Sequence, residues 1–260
     1  MSTIIETKAL CKSYGAFGAL RGVDITVPQG GVFALLGASG AGKTTLIKIL
    51  MNLLRPSSGS ATILGRDAGT IDAGVLSGIG YVSENQAMPL RLRVSEFFDY
   101  LRPCYARWDV ELERQLREQM RLPPARRIGE LSHGMRLKMA LACALPFRPQ
   151  LLILDEPLSG LDALARDEII AGFLHGTDPM TILISSHELD EVERFATHVA
   201  FLHEGGVLFQ GSVSALAEHA RPLLPAPELR PATQRSLRDI FVAMVRHARQ
   251  DVTASAELRR

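Results

Sequence analysis

The sequence predicts an α/β fold built around a buried sheet. One observation is the run Val32-Phe33-Ala34-Leu35-Leu36, which leads through a glycine-rich loop into an apolar stretch of helical character from Leu46 to Leu54. Another is a pair of apolar runs, Leu151-Leu152-Ile153-Leu154 and, after Thr181, Ile182-Leu183-Ile184. Runs without polar alternation suit parallel strands buried on both faces. The third is a change of character from about Val94, where Phe97, Phe98, Tyr100, Leu101 and Tyr105 recur at helical spacing. That block reads as helices inserted between strands.

The remaining elements follow in chain order. Residues 3–10 and 22–27 read as strands from their β-branched content, with Tyr14-Gly15 between them. Residues 59–65, bounded by glycines, and 79–83 read as further strands. Asp109 to Leu122 reads as a charged amphipathic helix with Asp109 as its N-cap, broken by Pro123-Pro124. Another helix starts after Leu131-Ser132-His133-Gly134 and carries Met135, Leu137, Met139, Ala140 and Leu145. Residues 197–210 suit a hairpin around Glu204-Gly205-Gly206, and 212–219 a short helix. Pro222, Pro225, Pro227 and Pro231 mark a linker, and Ser236 to His247 a last helix opened by the capping-box pattern Ser236-x-x-Asp239. Its apolar face, with Leu237, Ile240, Phe241, Met244 and Val245, predicts docking onto its own domain or a second copy, with membrane-surface binding the other reading.

Composition narrows the function. At 260 residues with 47% hydrophobic residues the chain fits one large domain, or one domain with an extension. A net charge of +1 argues against a general nucleic-acid binder. The basic residues gather at the end: eight Lys and Arg against four Asp and Glu from Arg221 onward. Cys11, Cys104 and Cys143 are scattered, with no C-x-x-C pair, so reduced thiols are expected. No leader segment is expected, and no run reaches the roughly 18–20 apolar residues that span a bilayer. A membrane role would need another chain to supply the membrane part.

The glycine loop carries the first chemistry. Gly37-Ala38-Ser39-Gly40-Ala41-Gly42-Lys43-Thr44, followed by Thr45, fits G-x-x-x-x-G-K-[ST] between a strand and a helix. Such a loop turns backbone N–H groups toward a polyphosphate, and the helix N-terminus favours its charge. Lys43 would reach the β- and γ-phosphates, and Thr44 would ligate Mg²⁺. Tyr14, ahead of the loop, is placed either to stack on a purine or to pack on the sheet edge. Asp155 and Glu156 end a buried strand at its carboxyl end, where ligands bind in open α/β sheets. Two adjacent buried carboxylates are expensive without a metal or a reacting group. His187 ends the next apolar strand, which gives it a functional reading.

These motifs, in this order and spacing, resemble the ATP-binding subunit of an ABC transporter over residues 3–219. Leu131-Ser132-His133-Gly134-Met135 looks like the family signature, usually L-S-G-G-Q, and Leu151 to Glu156 looks like Walker B. Ser159 to Asp162 is similar to the D-loop and His187 to the switch histidine. Tyr14 matches the adenine-stacking aromatic, and Glu84 stands where the Q-loop glutamine is expected. The closing helix, Ser-Leu-Arg-Asp-Ile-Phe, looks like that of ABC-2-type exporters.

The resemblance implies a P-loop NTPase core with an N-terminal antiparallel β subdomain and an α-helical subdomain at about 88–148. The ATPase domain would cover 1–219, with a proline-rich linker and helix at 220–260. It implies an ATPase that binds ATP and Mg²⁺, dimerises head to tail as a homodimer or with a related subunit, and drives a separate transmembrane permease. The chain would then be cytoplasmic, on the inner face of the cell membrane. Glu156 would be general base, His187 would contact the γ-phosphate, and Asp155 and Glu84 would join Thr44 around the metal. Ser132, Gly134 and Asp162 would complete the nucleotide site across the dimer. A groove near Glu84 to Tyr105 would pass motion to the permease, with Phe97, Phe98 and Tyr105 either lining it or packing the core. Met135, His133 and Glu84 depart from the family pattern at positions that bear on closure. The other functional class is a soluble ABC ATPase serving an assembly such as an iron–sulfur scaffold.

Overall fold

A computed structural model of the chain describes residues 2–84, 86–161, 166, 169–170, 180–220 and 236–257. It forms two compact units, one of Met1–Pro28, Val32–Gly69 and Ser185–Arg260, the other of Gln29–Gly31 and Thr70–Ile184. The predicted proline linker lies outside the described residues.

The first unit opens with a long hairpin, β1 (Thr3–Tyr14) and β2 (Phe17–Pro28). Both strands outrun the expectation, which gave 3–10 and 22–27 from β-branched content. Backbone pairing carries the ladder on regardless, through Lys12 with Leu20, Ser13 with Gly18 and Tyr14 with Phe17. β4 (Ser58–Ile63) pairs antiparallel with β1, and β5 (Arg66–Asp67) with β4. The same unit holds residues 32–36 of β3 (Gly31–Leu36), parallel to β9 (His198–His203), which pairs antiparallel with β10 (Gly206–Ser212). Helix α1 (Lys43–Leu50) follows β3.

Helix α1 is shorter than its apolar pattern, which ran to Leu54. Asn52 takes a left-handed φ of 55°, and the amides of Asn52 and Leu53 donate to the carbonyls of Ile49 and Lys48 at 3.0 and 2.8 Å. These two bonds make a Schellman closure, which satisfies the last carbonyls and turns the chain away. In the second unit α4 (Val110–Gln119) ends the same way, ahead of Leu122. Arg121 is left-handed there, and the amides of Arg121 and Leu122 donate to Glu118 and Arg117.

The C-terminal helix, Leu237–Glu257, packs on its own unit. Leu237, Ile240 and Met244 are buried, and the ring of Phe241 lies 5.2 Å from that of Phe201. The helix touches the helices Leu189–Val192 and Val213–Ala220 and strand β10. It continues past the expected end at His247 because Ala248, Arg249, Gln250, Ala254 and Ala256 are good helix formers.

The second unit contains β6 (Ile79–Ser83) and β7 (Leu151–Asp155), paired in parallel, with residues 181–184 of β8 (Thr181–Ser186) next in order. Every residue of β7 is buried, as its uninterrupted apolar run requires. Between β6 and β7 the described residues form chiefly helices, α3 (Val94–Leu101), α4 and α5 (His133–Ala144), with one isolated β-bridge between Arg93 and Arg127. Val94, Phe98, Ile128, Met139 and Ala142 form their core. Phe98 is therefore a core residue, and Tyr105 lies beyond α3, its ring stacked 4.1 Å from that of Phe147.

One feature of this block left no mark in the sequence pattern. Glu113 is 1% exposed, and its carboxylate accepts from Arg102 at 2.7 and 2.8 Å, Trp108 at 2.9 Å and Arg117 at 3.0 Å. Burial pushes its pKa up, but the donors from Arg102, Trp108 and Arg117 outweigh burial and hold it below its ordinary value. All three cysteines are free thiols, as expected. Burial raises the Cys143 thiol far above its usual value, so that sulfur stays protonated and inert.

Candidate functional site

In the first unit the phosphate loop is shaped by close backbone approaches. Gly42 sits at φ 111°, a region that disfavours any Cβ, and a Cβ there would lie 2.6 Å from the carbonyl oxygen of Ala19. A Cβ on Gly37 would lie 2.3 Å from the carbonyl oxygen of Leu202. The glycines are thus required by β2 and β9 as well as by a ligand. Ala38, Ser39 and Gly40 are exposed at the crest, while Lys43 is 5% exposed. The Lys43 ammonium donates to Gly37 O at 2.6 Å and Ala38 O at 3.1 Å, so it is folded back beneath the loop. Thr44 and Thr45 occupy the first turn of α1. The loop therefore offers a helix N-terminus and a cation to an anion.

Two other sequence candidates belong to this unit. The amide of Gly37 donates to Ser186 O at 3.3 Å, which ties the start of the loop to the residue before His187. Tyr14 is 49% exposed at the hairpin tip, beside Phe17 at 60%, and the Lys12 ammonium lies 5.4 Å from the Tyr14 ring centroid. Phe17 escaped the sequence reading. Its signal was two aromatics flanking a two-residue turn.

In the second unit β7 delivers Asp155, 5% exposed, at its last position. Glu156 follows with a left-handed φ of 53°, a conformation costing a non-glycine residue about 1–3 kcal/mol. The amide of Glu84 donates to Asp155 O at 3.0 Å, which fixes the chain after β6 against the end of β7. Burial first, and then the Asp155 charge, raise the pKa of Tyr81 on β6. Ser132 caps α5, its hydroxyl accepting from the Met135 amide at 3.3 Å, and Gly134 lies in the first turn. Asp162 lies outside the described residues.

Ser159 joins three of these pieces. Its hydroxyl donates to Glu84 Oε1 at 2.9 Å, its carbonyl lies 3.2 Å from His133 Nε2, and its amide donates to Glu156 O at 3.3 Å. Sequence reading placed these residues in separate motifs and did not link their side chains. A cavity of about 450 Å³ opens alongside, lined among others by Glu84, Met88, Leu90, His133, Arg136 and Leu137. This cavity runs from Ser83 to Leu90 and along α5, and among the described residues Phe97, Phe98 and Tyr105 are not in its lining.

Residues 20–159 match the ABC transporter family, more than half of the chain. The chain belongs to the ABC transporter family. It is 34% identical over 214 residues to the sulfate/thiosulfate import ATP-binding protein of Vibrio vulnificus, covering 78% of this chain and 62% of that one. It is 34% identical over 212 residues to the bacitracin transport ATP-binding protein of Bacillus licheniformis, covering 80% of this chain and 69% of that one. The chain thus spans less than two thirds of the length of the first of these relatives. A solved ATP-binding subunit of an ABC transporter superposes with a TM-score of 0.80 at 27% identity, over 93% of this chain and 99% of that one. The fold is that of the ATPases of this family, a P-loop core with an antiparallel β-sheet and helices. Its relatives include an import protein, so similarity alone assigns no direction of transport.

The donor types suit the metal that the family implies. Among the described residues no group of three or more His, Cys, Asp or Glu forms a metal cage. A Thr44 hydroxyl and an Asp155 carboxylate are hard oxygen donors. Mg²⁺ commonly takes one or two carboxylates and fills its remaining positions with phosphate oxygens and water.

Proposed function

We propose that this chain is the ATP-hydrolysing subunit of a membrane exporter, working as a dimer with a separate permease. The observation that carries the reading is the phosphate loop: glycine-shaped backbone, a folded-in Lys43 and the start of α1 converge on one anion site. Lys43 would swing from the Gly37 and Ala38 carbonyls to the triphosphate, which offers it oxygens bearing full charge. Loop amides and the α1 N-terminus would hold the β-phosphate. Tyr14 would stack on the base. Thr44, Asp155 and Glu84 would hold Mg²⁺, which when bound supplies positive charge against the phosphate oxygens.

Glu156 would accept the proton of the attacking water, and His187 would donate to the γ-phosphate. Phosphoryl transfer asks the protein mostly for positioning and charge stabilisation, which these groups supply. Ser132 and Gly134, at the start of α5, would meet the nucleotide held by the other subunit, with Asp162 in the same role. Export is supported by the C-terminal helix, which resembles that of ABC-2-type exporters. The absence of a membrane-spanning helix among the described residues is compatible with a permease supplied in trans and a place on the inner membrane face.

ATP titration of the full chain and Lys43→Ala tests the loop. Loss of tight ATP binding is expected, and unchanged affinity would reject the assignment. Direction is tested in vesicles carrying the chain with its permease, where ATP outside an inverted vesicle should drive substrate inward.

A further inference from the structure

The turn that follows β7 is held from two sides by side chains distant in sequence. Glu156 starts the turn with a left-handed backbone, and the Ser159 amide closes it onto the Glu156 carbonyl at 3.3 Å. A strained backbone persists only where its surroundings over-determine it. Ser159 is where those surroundings attach. Its hydroxyl donates to Glu84 Oε1 at 2.9 Å, and its carbonyl meets His133 Nε2 at 3.2 Å. A carbonyl oxygen can only accept, so Nε2 carries the hydrogen in this contact. Both outer partners stand where the family pattern has a different residue, glutamine for Glu84 and glycine for His133. A glycine could not make the second bond.

We infer that Ser159, tethered by His133 and Glu84, is the positioning residue that fixes Glu156 for proton abstraction. The inference rests on the proposed role of Glu156 as general base. It gives two of the departures, His133 in the signature and Glu84 in the Q-loop, a shared part: clamping the Glu156–Ser159 turn within a single subunit. His133 holds the turn through its backbone and Glu84 through its side chain. Loss of either bond would loosen the turn that carries Glu156.

The test measures steady-state hydrolysis of Mg-ATP by the full chain. Ser159→Ala and His133→Ala should each lower kcat roughly 3- to 10-fold, the kinetic equivalent of one hydrogen bond, with KM within about twofold. His133→Gln should restore most of the loss, because its amide N–H can reach the Ser159 carbonyl. On a Glu156→Gln background, Ser159→Ala should cause no further loss, since there is no base left to position. A full 3- to 10-fold loss on that background would overturn the inference, as would an effect confined to KM. Thermal unfolding within a few degrees of wild type shows that the variants fold; if Ser159→Ala and His133→Ala instead unfold, His133→Gln alone decides the matter, by keeping wild-type kcat or not. If Glu156→Gln slows turnover but Ser159→Ala does not, the clamp is wrong and the base stands. If Glu156→Gln leaves turnover intact, both readings fall.

Discussion

The phosphate loop of the first unit and the turn after β7 in the second are rigid for opposite reasons. The loop is contiguous and made of backbone: Gly37 and Gly42 are pressed against the carbonyls of Leu202 and Ala19, and no side chain other than hydrogen fits. The turn is made of side chains drawn from three distant places, Glu84, His133 and Ser159. A backbone-built site fails when an atom is added. A site built by side-chain hydrogen bonds fails when an atom is removed. The difference predicts which mutations each region tolerates.

The largest expected effect is at the head of the turn. Glu156→Gln should slow hydrolysis by roughly 10²–10⁴-fold, the span of a lost general base. ATP binding should survive, because the amide is isosteric and one negative charge near the triphosphate is gone. The variant should accumulate as an ATP-bound dimer in size-exclusion chromatography. A monomer with nucleotide bound would contradict the dimer reading.

Glu113 calibrates what a buried side-chain network is worth away from any chemistry. Glu113→Ala should cost roughly 3 kcal/mol, since it leaves Arg102 and Arg117 facing a hole where their anion was. Denaturant unfolding measures this. The pH sign follows from its lowered pKa in the folded chain. The stabilisation is complete above the ordinary value of 4.5 and fades as pH falls through the lower folded value. Glu113→Gln should therefore flatten the acid limb of the stability curve and leave its neutral limb parallel to wild type. An unchanged acid limb would assign that limb to other carboxylates.

Adding an atom to the loop is the complementary experiment. Gly42→Ala places a Cβ 2.6 Å from Ala19 O at a backbone angle worth about 1–2 kcal/mol of strain. ATP affinity should fall about tenfold or more, while Ser39→Ala at the exposed crest should change it less than threefold. Equal effects at both positions would mean that the loop is not shaped by its neighbours.

The same contrast explains what was legible in the sequence. The loop could be read because its constraints are local: eight consecutive residues carry the whole pattern. Strand β7 could be read because burial on both faces forces an apolar run. The hairpin was under-read at Cys11–Ser13, where backbone pairing asks nothing of side-chain polarity. Helices α1 and α4 were over-read at their C-termini, where Asn52 and Arg121 turn the chain by a backbone angle that an apolar pattern cannot register. The knot at Glu113 and the clamp at Ser159 were invisible for a common reason. Each depends on donors whose separation in sequence has no period, so only tertiary placement brings them together.

The smallest expected effect separates two roles of one residue. Glu84 accepts from Ser159 through Oε1, and in the proposed metal site its carboxylate would also bring a negative charge toward the nucleotide. Glutamine keeps an acceptor oxygen for the Ser159 hydroxyl but loses the charge. Glu84→Gln should therefore leave kcat within about twofold, because a hydrogen bond of the same kind survives. What should change is the metal dependence of binding. A carboxylate near Mg²⁺ is favourable, whereas near an unshielded γ-phosphate it is repelled, by about 4 kcal/mol at 4 Å and intermediate dielectric. Wild type should then need Mg²⁺ more than the variant does. The measurement is the ratio of ATP affinities with Mg²⁺ and with EDTA, which Glu84→Gln should narrow. An unchanged ratio would leave Glu84 with the Ser159 clamp and the cavity beside α5, and would remove it from the metal site.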